Sequence, residues 1–300
     1  MSKVKIEGHA SGSGTLTIQA PDTSSSRTIT LPDETGTVSL GVGIDDNADA
    51  TAITIDSSEN VGIGVTPETW ENGWTGLQVG GIGAAYASTS ASAGSEIALS
   101  LNTYINSGGQ TSYIITDEAS RYRQDSGIHY FQVAASGSAD AAISFNTAMT
   151  IDNDGIVTKP LQPAFNIGKS VVQTGVTENE TIIWDTEIFD IGSNFASNTF
   201  TAPVTGKYLM CAEVRWAGLP ADAYYSCIDL VTSNRTYGYV GMIAHTGFDA
   251  TQNYQTANFI AVVDMDASDT AYVRAKPPGA GADTANISPD SSFFSGALIA

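Results

Sequence analysis

A chain of 300 residues with 12 Lys and Arg against 32 Asp and Glu carries a formal net charge of −20. That acidity excludes a cationic face for DNA or RNA, and two cysteines in so long a chain exclude a disulfide-stapled scaffold. Charged residues make up only 15% of the chain, so it does not read as a disordered acidic tail.

The first forty residues hold three Lys and Arg and four Asp and Glu, a net charge of −1. Residues 1–11 contain no apolar run, so no secretory signal is expected. The longest apolar runs, such as residues 259–263, fall far short of the ~20 residues of a membrane helix, and no membrane insertion is expected. Folding in a cytoplasm follows as an expectation, with Cys211 and Cys227 reduced, and the Asn-x-Ser/Thr triplets are then chance matches. Thr15-Leu16-Thr17-Ile18 and Arg27-Thr28-Ile29-Thr30-Leu31 alternate around the turn signal Ala20-Pro21-Asp22.

Residues 41–158 hold two Arg and fourteen Asp and Glu, a net charge of −12, and are rich in Ala, Ser and Gly. Two stretches echo one another: Ile53-Thr54-Ile55-Asp56 running on to Val61-Gly62-Ile63, and Met149-Thr150-Ile151-Asp152 running on to Ile156-Val157. Each reads as strand, polar turn, strand, and therefore as a short hairpin. Two copies do not make a solenoid. Residues 128–133 and 142–145 read as further short strands. Large apolar residues are too sparse here for a core within one chain, so intertwining with identical chains is expected to supply the missing neighbours. Lys159-Pro160-Leu161-Gln162-Pro163 then marks a boundary.

Residues 159–300 hold seven Lys and Arg and fourteen Asp and Glu, a net charge of −7. Residues 200–208 read as strand, turn, strand. Tyr208, Met210, Ala212, Val214 and Trp216 fall on one strand face, and Leu209, Cys211, Glu213 and Arg215 on the other. Residues 259–265 read as a buried strand, and residues 292–300, apolar to the end, as a core strand. Helical periodicity is almost absent throughout, and the fold class is all-β.

Phe200, Pro203, Gly206 and Tyr208 form an F-x-x-P-x-x-G-x-Y turn, and Ser292, Phe294, Ser295, Gly296 and Leu298 form an S-x-F-S-G-x-L strand. Ile188-Phe189-Asp190-Ile191-Gly192 stands where a Y-D-x-G segment would, with Phe189 in place of Tyr. On these motifs residues 165–300 resemble the C1q/tumour-necrosis-factor family of jelly rolls. The resemblance implies a ten-stranded sandwich, a homotrimer, and calcium held near the three-fold axis, to which Asp222, Asp229 or Asp249 would contribute.

The segments 14–18 and 31–38, with Ile55 through Gly64 and Asp154-Gly155-Ile156-Val157-Thr158-Lys159-Pro160, resemble the opening and shaft phrases of bacteriophage fibre proteins. This resemblance implies an extended virion-attachment arm at 1–40, a β-rich trimeric shaft at 41–160 and a C1q-like knob at 161–300. The partners it implies are phage tail or capsid proteins for the arm and a host surface glycan or protein for the knob. The place it implies is the virion, with tail fibre favoured over head fibre or decoration protein.

Catalysis finds little support: His9, His129 and His245 are scattered and without ligand spacing, and no nucleophile stands with a base. A depolymerase or a free C1q-like lectin are the alternatives, the first lacking a cleft constellation and the second unexpected beside a docking arm. Asp45, Asn47 and Asp49 alternate as in a calcium loop, but Ala50 and Asp56 replace its Gly and bidentate Glu, so a polar turn explains them as well. For ligand contact the expectation falls on Asp222, Tyr224, Tyr225, His245 and Phe248, aromatic and polar residues in a loop-rich span. Tyr237 and Tyr239 alternate and are expected in the core.

Overall fold

The computed structural model describes residues 52–219, 224–244, 252–277 and 284–300. These lie in one unit, Ala50–Ala300. Among the described residues there are strands and no helix, so no helix is long and apolar enough to cross a membrane.

The first half builds one nine-stranded sheet in the order Ile53–Ile55, Val61–Ile63, Trp74–Val79, Gly83–Ser88, Glu96–Leu101, Asp117–Asp125, Ile128–Gly137, Asn146–Ile151 and Val157–Thr158. Neighbours are antiparallel except Val61–Ile63 beside Trp74–Val79, which is parallel. Both echoing stretches are hairpins, as their sequences predict, and they form the two opposite edges of this sheet. Their turns share one construction. Asp56 Oδ1 accepts the amides of Ser58 and Asn60, and Asp152 Oδ1 accepts those of Asp154 and Ile156. The left-handed corner is Glu59 in one and Gly155 in the other.

One face of this sheet is covered by its own chain. Trp70 lies on it against Tyr86 and Tyr104, with ring centroids 5.2 and 6.3 Å apart. Gly76 makes room, since a Cβ there would stand 2.4 Å from the Trp70 ring. Arg121 lies over Phe145 and Arg123 over Tyr130, while Arg123 is paired to Glu96. Residues 142–145, expected as a strand, are not one: Ala142 forms a single bridge to Ser112, and the strand begins at Asn146. Ile143 and Phe145 instead pack against a small cluster of Tyr113, Ala119 and Ala134.

Among the described residues nothing covers the other face. Following register from strand to strand, Ile55, Val61, Leu77, Ala85, Leu99, Tyr122, Phe131 and Met149 stand in one row. Beside it runs a second row of Ile53, Ile63, Val79, Gly83, Leu101, Ser120 and Val133.

The second half is a sandwich. Eight of its strands, taken in chain order, are Ala164–Gly168, Thr199–Thr201, Gly206–Leu219, Tyr225–Thr232, Thr236–Ala244, Gln252–Met265, Thr270–Lys276 and Phe293–Leu298. The first, eighth, third and sixth are hydrogen-bonded in that order in one sheet, and the second, seventh, fourth and fifth in the other. That order is a jelly roll of two interleaved Greek keys. Thr186–Ile191 extends the first sheet beyond Ala164–Gly168.

The motif residues do identifiable work in this sandwich. Phe165 on one sheet stacks on Phe200 of the other with centroids 4.7 Å apart and meets Phe294 edge-on at 5.0 Å. Gly296 lets that ring lie close, because a Cβ there would stand 2.8 Å from Phe165 and 2.5 Å from Met210 Sδ. Tyr208 donates its hydroxyl hydrogen to the Val204 carbonyl, closing the turn that holds Pro203. Ser292 Oγ accepts the Arg215 amide and donates to the Ser288 carbonyl. Tyr208, Met210, Ala212, Val214 and Trp216 are all buried, as their alternation predicts. The final strand lies between Gly206–Leu219 and Ala164–Gly168 and is a core strand.

Two expectations are corrected. Residues 259–265 are not buried on both sides: Phe259, Val263 and Met265 point into the core, while Ile260 is 77% and Val262 56% exposed. Tyr239 is not a core residue. Register shifts within the Tyr225–Thr232/Thr236–Ala244 pair and a left-handed φ of 57° at Tyr239 turn its ring outward, leaving Tyr237 alone packed against the core.

Candidate functional site

Two surfaces of the sandwich stand out, one on each sheet. On the first sheet, register places Phe189, Asn166, Ser295, Cys211 and Ile260 in one outward row, and Ile191, Ala164, Ala297, Leu209 and Val262 in the next. A shallow depression of about 220 Å³ lies between Phe189, Leu209 and Cys211. Asn166 sits in it with its amide oxygen buried and, among the described residues, without a hydrogen-bond partner. Cys211 Sγ and Ser295 Oγ meet at 2.9 Å beside it. Exposed Ile260, Val262 and Phe189 around a shielded polar atom make a surface suited to a protein partner that brings both apolar contact and a donor.

The alternation of the Gly206–Leu219 strand announces this face, since Leu209 and Cys211 must point away from the core. Ile260 and Val262 were hidden in a run that is apolar on both faces. The signal that finds them is register: Cys211 pairs with Ile260 and Leu209 with Val262.

On the second sheet, Asp229 is fully buried beneath outward-facing side chains. Its Oδ2 accepts Arg274 Nη2 at 2.6 Å and Nε at 3.2 Å, and its Oδ1 accepts the Tyr239 amide at 2.8 Å. Lys276 Nζ stands 3.9 Å from the same carboxylate and 3.1 Å from Glu178. Burial alone would lower the Lys276 ammonium; the Glu178 hydrogen bond and the Asp229 charge outweigh it and hold it above its ordinary value. Lys276 also lies 5.1 Å from the Tyr239 ring, which meets Tyr225 edge-on at 5.9 Å. Burial, then the neighbouring Tyr239, pushes the Tyr225 phenol up.

Of the residues expected to contact a ligand, Tyr224 and Tyr225 belong to this second surface, Tyr224 being 69% exposed. Asp222, His245 and Phe248 lie outside the described residues, as do Asp45, Asn47, Asp49 and Asp249 and the whole segment 1–40. Tyr239, Arg274, Lys276 and Glu178 were missed. Three of them are charged: Arg274 and Lys276 share the strand Thr270–Lys276, which pairs with Tyr225–Thr232 and so meets Asp229, while Glu178 comes from a turn nearly a hundred residues earlier, held by the Asn179 amide on the Ala275 carbonyl. Asp229, weighed as a calcium ligand, has its carboxylate engaged by Arg274 and a backbone amide. Among the described residues no three His, Cys, Asp or Glu gather as a metal site. His129 pairs its Nδ1 with the Tyr122 hydroxyl.

No protein-family model matches the chain, and no curated protein does. Solved structures resemble its second half. The globular domain of a zebrafish complement 1qA protein is 18% identical, with a TM-score of 0.35 over 46% of this chain and 98% of its own. Murine APRIL is 11% identical, with a TM-score of 0.34 over 46% and 99%. Eiger TNF from S. frugiperda is 13% identical, with a TM-score of 0.37 over 46% and 94%. Strand order in the sandwich, independent of these neighbours, establishes the jelly roll.

Proposed function

We propose that the chain is a homotrimeric virion fibre of a bacteriophage, docked to the particle through residues 1–40 and displaying its jelly roll for adhesion to a host surface glycan or protein. The observation that carries the reading is the outward face of the first jelly-roll sheet. An isolated domain gains nothing from presenting Ile260, Val262 and Phe189 to water around an unpartnered amide oxygen, whereas identical copies packed through that face cover all of them. The C1q and tumour-necrosis-factor resemblance supports three copies, and the fibre phrases in residues 14–64 support the virion.

With the first sheet used for assembly, the second remains outward with Tyr224, Tyr225, Tyr239 and Lys276. Aromatic faces beside a fixed cation suit a sugar or a protein epitope. Three such sites on one particle gain avidity over any one of them. The proposed mechanism is adhesion without chemistry.

The experiment has two parts. Light scattering on the purified full chain is expected to give the mass of three copies, and a monomer mass overturns the assembly. Antibody to residues 161–300, imaged on phage particles, is expected to decorate the tail. Label on the head surface assigns the chain to head decoration instead, and unlabelled particles overturn the virion reading.

A further inference from the structure

We infer that the bare face of the nine-stranded sheet is a second interface between copies of this chain, separate from the one on the jelly roll. The row running from Ile55 to Met149 crosses eight strands, with Tyr122 the only polar-tipped side chain in it. Ile55, Leu99 and Val133 on this face are 67%, 65% and 47% exposed. Between Leu99, Phe131 and Val133 the surface sinks into a groove of about 450 Å³.

Charge identifies what the face fits. Residues 41–158 hold fourteen Asp and Glu, yet neither row contains one. Of the charged side chains on the central strands, Glu96, Arg121, Arg123 and Asp125 stand together on the opposite, covered face. A segment this acidic that keeps two whole rows of one sheet face free of carboxylates presents them to another apolar surface, not to water and not to a cation. Eight strands about 4.8 Å apart and three residues at about 3.4 Å give roughly 390 Å² of face. That lies within the range of the largest apolar patches of monomers, about 300–600 Å², which are often functional. It is about half of the roughly 800 Å² per partner of a stable complex, the rest of which the jelly-roll face supplies.

The occupant is a second copy because copies are already at hand. This step rests on the trimer proposed above. The sheet ends at Thr158 and the jelly roll begins at Ala164, and the five residues between them reach no more than about 18 Å. Jelly rolls that associate therefore hold the sheets of their copies near one another, at an effective concentration of order millimolar. Sheets packed face to face about 10 Å apart interdigitate such rows.

The test is hydroxyl-radical footprinting of the purified full chain, where no other partner is present. Leu99 and Tyr224 are almost equally exposed in one copy, at 65% and 69%. After correction for intrinsic reactivity, Leu99 is expected to label several-fold less than Tyr224; equal labelling overturns the interface. Leu99→Glu with Phe131→Glu is expected to raise labelling of Met149 several-fold while the jelly-roll trimer keeps its mass. The milder pair Leu99→Gln and Phe131→Gln serves if the first fails to fold, and unchanged Met149 labelling in a folded variant again overturns the proposal. A trimer mass with freely labelled Leu99 sinks this interface alone. A monomer mass with freely labelled Leu99 sinks the trimer as well.

Discussion

Arg274 grips one carboxylate oxygen of Asp229 with two nitrogens, Nη2 at 2.6 Å and Nε at 3.2 Å, and the Asp229 side chain is 1% exposed. A charge buried so completely is tolerated because its partners neutralise it, and removing one partner costs more than the pair contributes. Arg274→Met is therefore expected to destabilise the jelly roll by about 3–5 kcal/mol. Lys276, at 3.9 Å, compensates part of the loss. Replacing both members, Asp229→Asn with Arg274→Met, is expected to recover a measurable part of it, because no unpaired charge is left buried. Thermal unfolding of the three proteins checks this, and a double variant less stable than Arg274→Met contradicts it.

The two cysteines are expected to react very differently with thiol reagents. Burial, and then the Asp229 carboxylate, pushes the Cys227 thiol up to about 11, so it stays protonated and shielded at pH 8. Cys211 lies on the outward face of the first sheet, half-buried in a single copy. Disulfide-exchange titration at pH 8 is expected to modify neither in the assembled protein, Cys211 alone after mild dissociation, and both in denaturant. Rapid labelling of Cys211 in the assembly argues against that face as the interface.

Acid is expected to act through Asp185. Burial raises its carboxyl, but hydrogen bonds from Ser170, Thr186 and the Val171 amide outweigh it and hold the group below the ordinary 3.8. A carboxyl that binds its proton less readily when folded favours the folded state while ionised. That advantage is complete above 3.8 and disappears as pH falls through the lower, folded value. Because Asp185 is exposed and its interactions are screened by solvent, Asp185→Ala is expected to lower stability at pH 7 by only about 0.5–1 kcal/mol, and the gap to the natural protein is expected to close at pH 2. Denaturant melts at the two pH values measure it, and a gap unchanged by acid would show that Asp185 acts through packing.

Gly296→Ala is expected to destabilise by about 1–3 kcal/mol through overpacking, because the new methyl meets Met210 Sδ at 2.5 Å and the Phe165 ring at 2.8 Å. Phe165→Leu beside it is expected to relieve part of that cost, and a double-mutant cycle with no coupling contradicts the contact.

The jelly roll was legible where a residue has a local task that no other type performs: the close approach at Gly296, the turn-closing hydroxyl of Tyr208, the strict alternation from Tyr208 to Trp216. What was illegible depended on partners distant in sequence. Ile260 and Val262 read as core because apolar residues on both faces of a strand look alike whether the second face meets its own chain or another. Tyr239 was misplaced because a bulge reverses alternation; Gly238, an isolated glycine inside the strand, is its local mark and was passed over. Of the nine-stranded sheet, the two edge hairpins and the strand at residues 128–133 were legible, but their union in one sheet was not. Its strands, such as Gly83–Ser88, are made of small residues, and their apolar rows exist only once register aligns Ala85 with Leu77 and Leu99. The outward surface of the second sheet was half visible, through Tyr224 and Tyr225, while its charges come from one strand and a distant turn that sequence does not bring together.

The twin hairpins at the margins of that sheet bear on how far association can go. Its outermost strands, Ile53–Ile55 and Val157–Thr158, are three and two residues long. So short an edge offers almost no ladder for a neighbouring molecule to extend, which is how natural sheets avoid edge-to-edge growth. In an acidic chain with broad apolar faces, edges this short favour association through the faces over sideways growth. Face stacking of the kind proposed, around an axis, would close on a fixed number of copies and so favour discrete particles over open-ended amyloid-like ribbons.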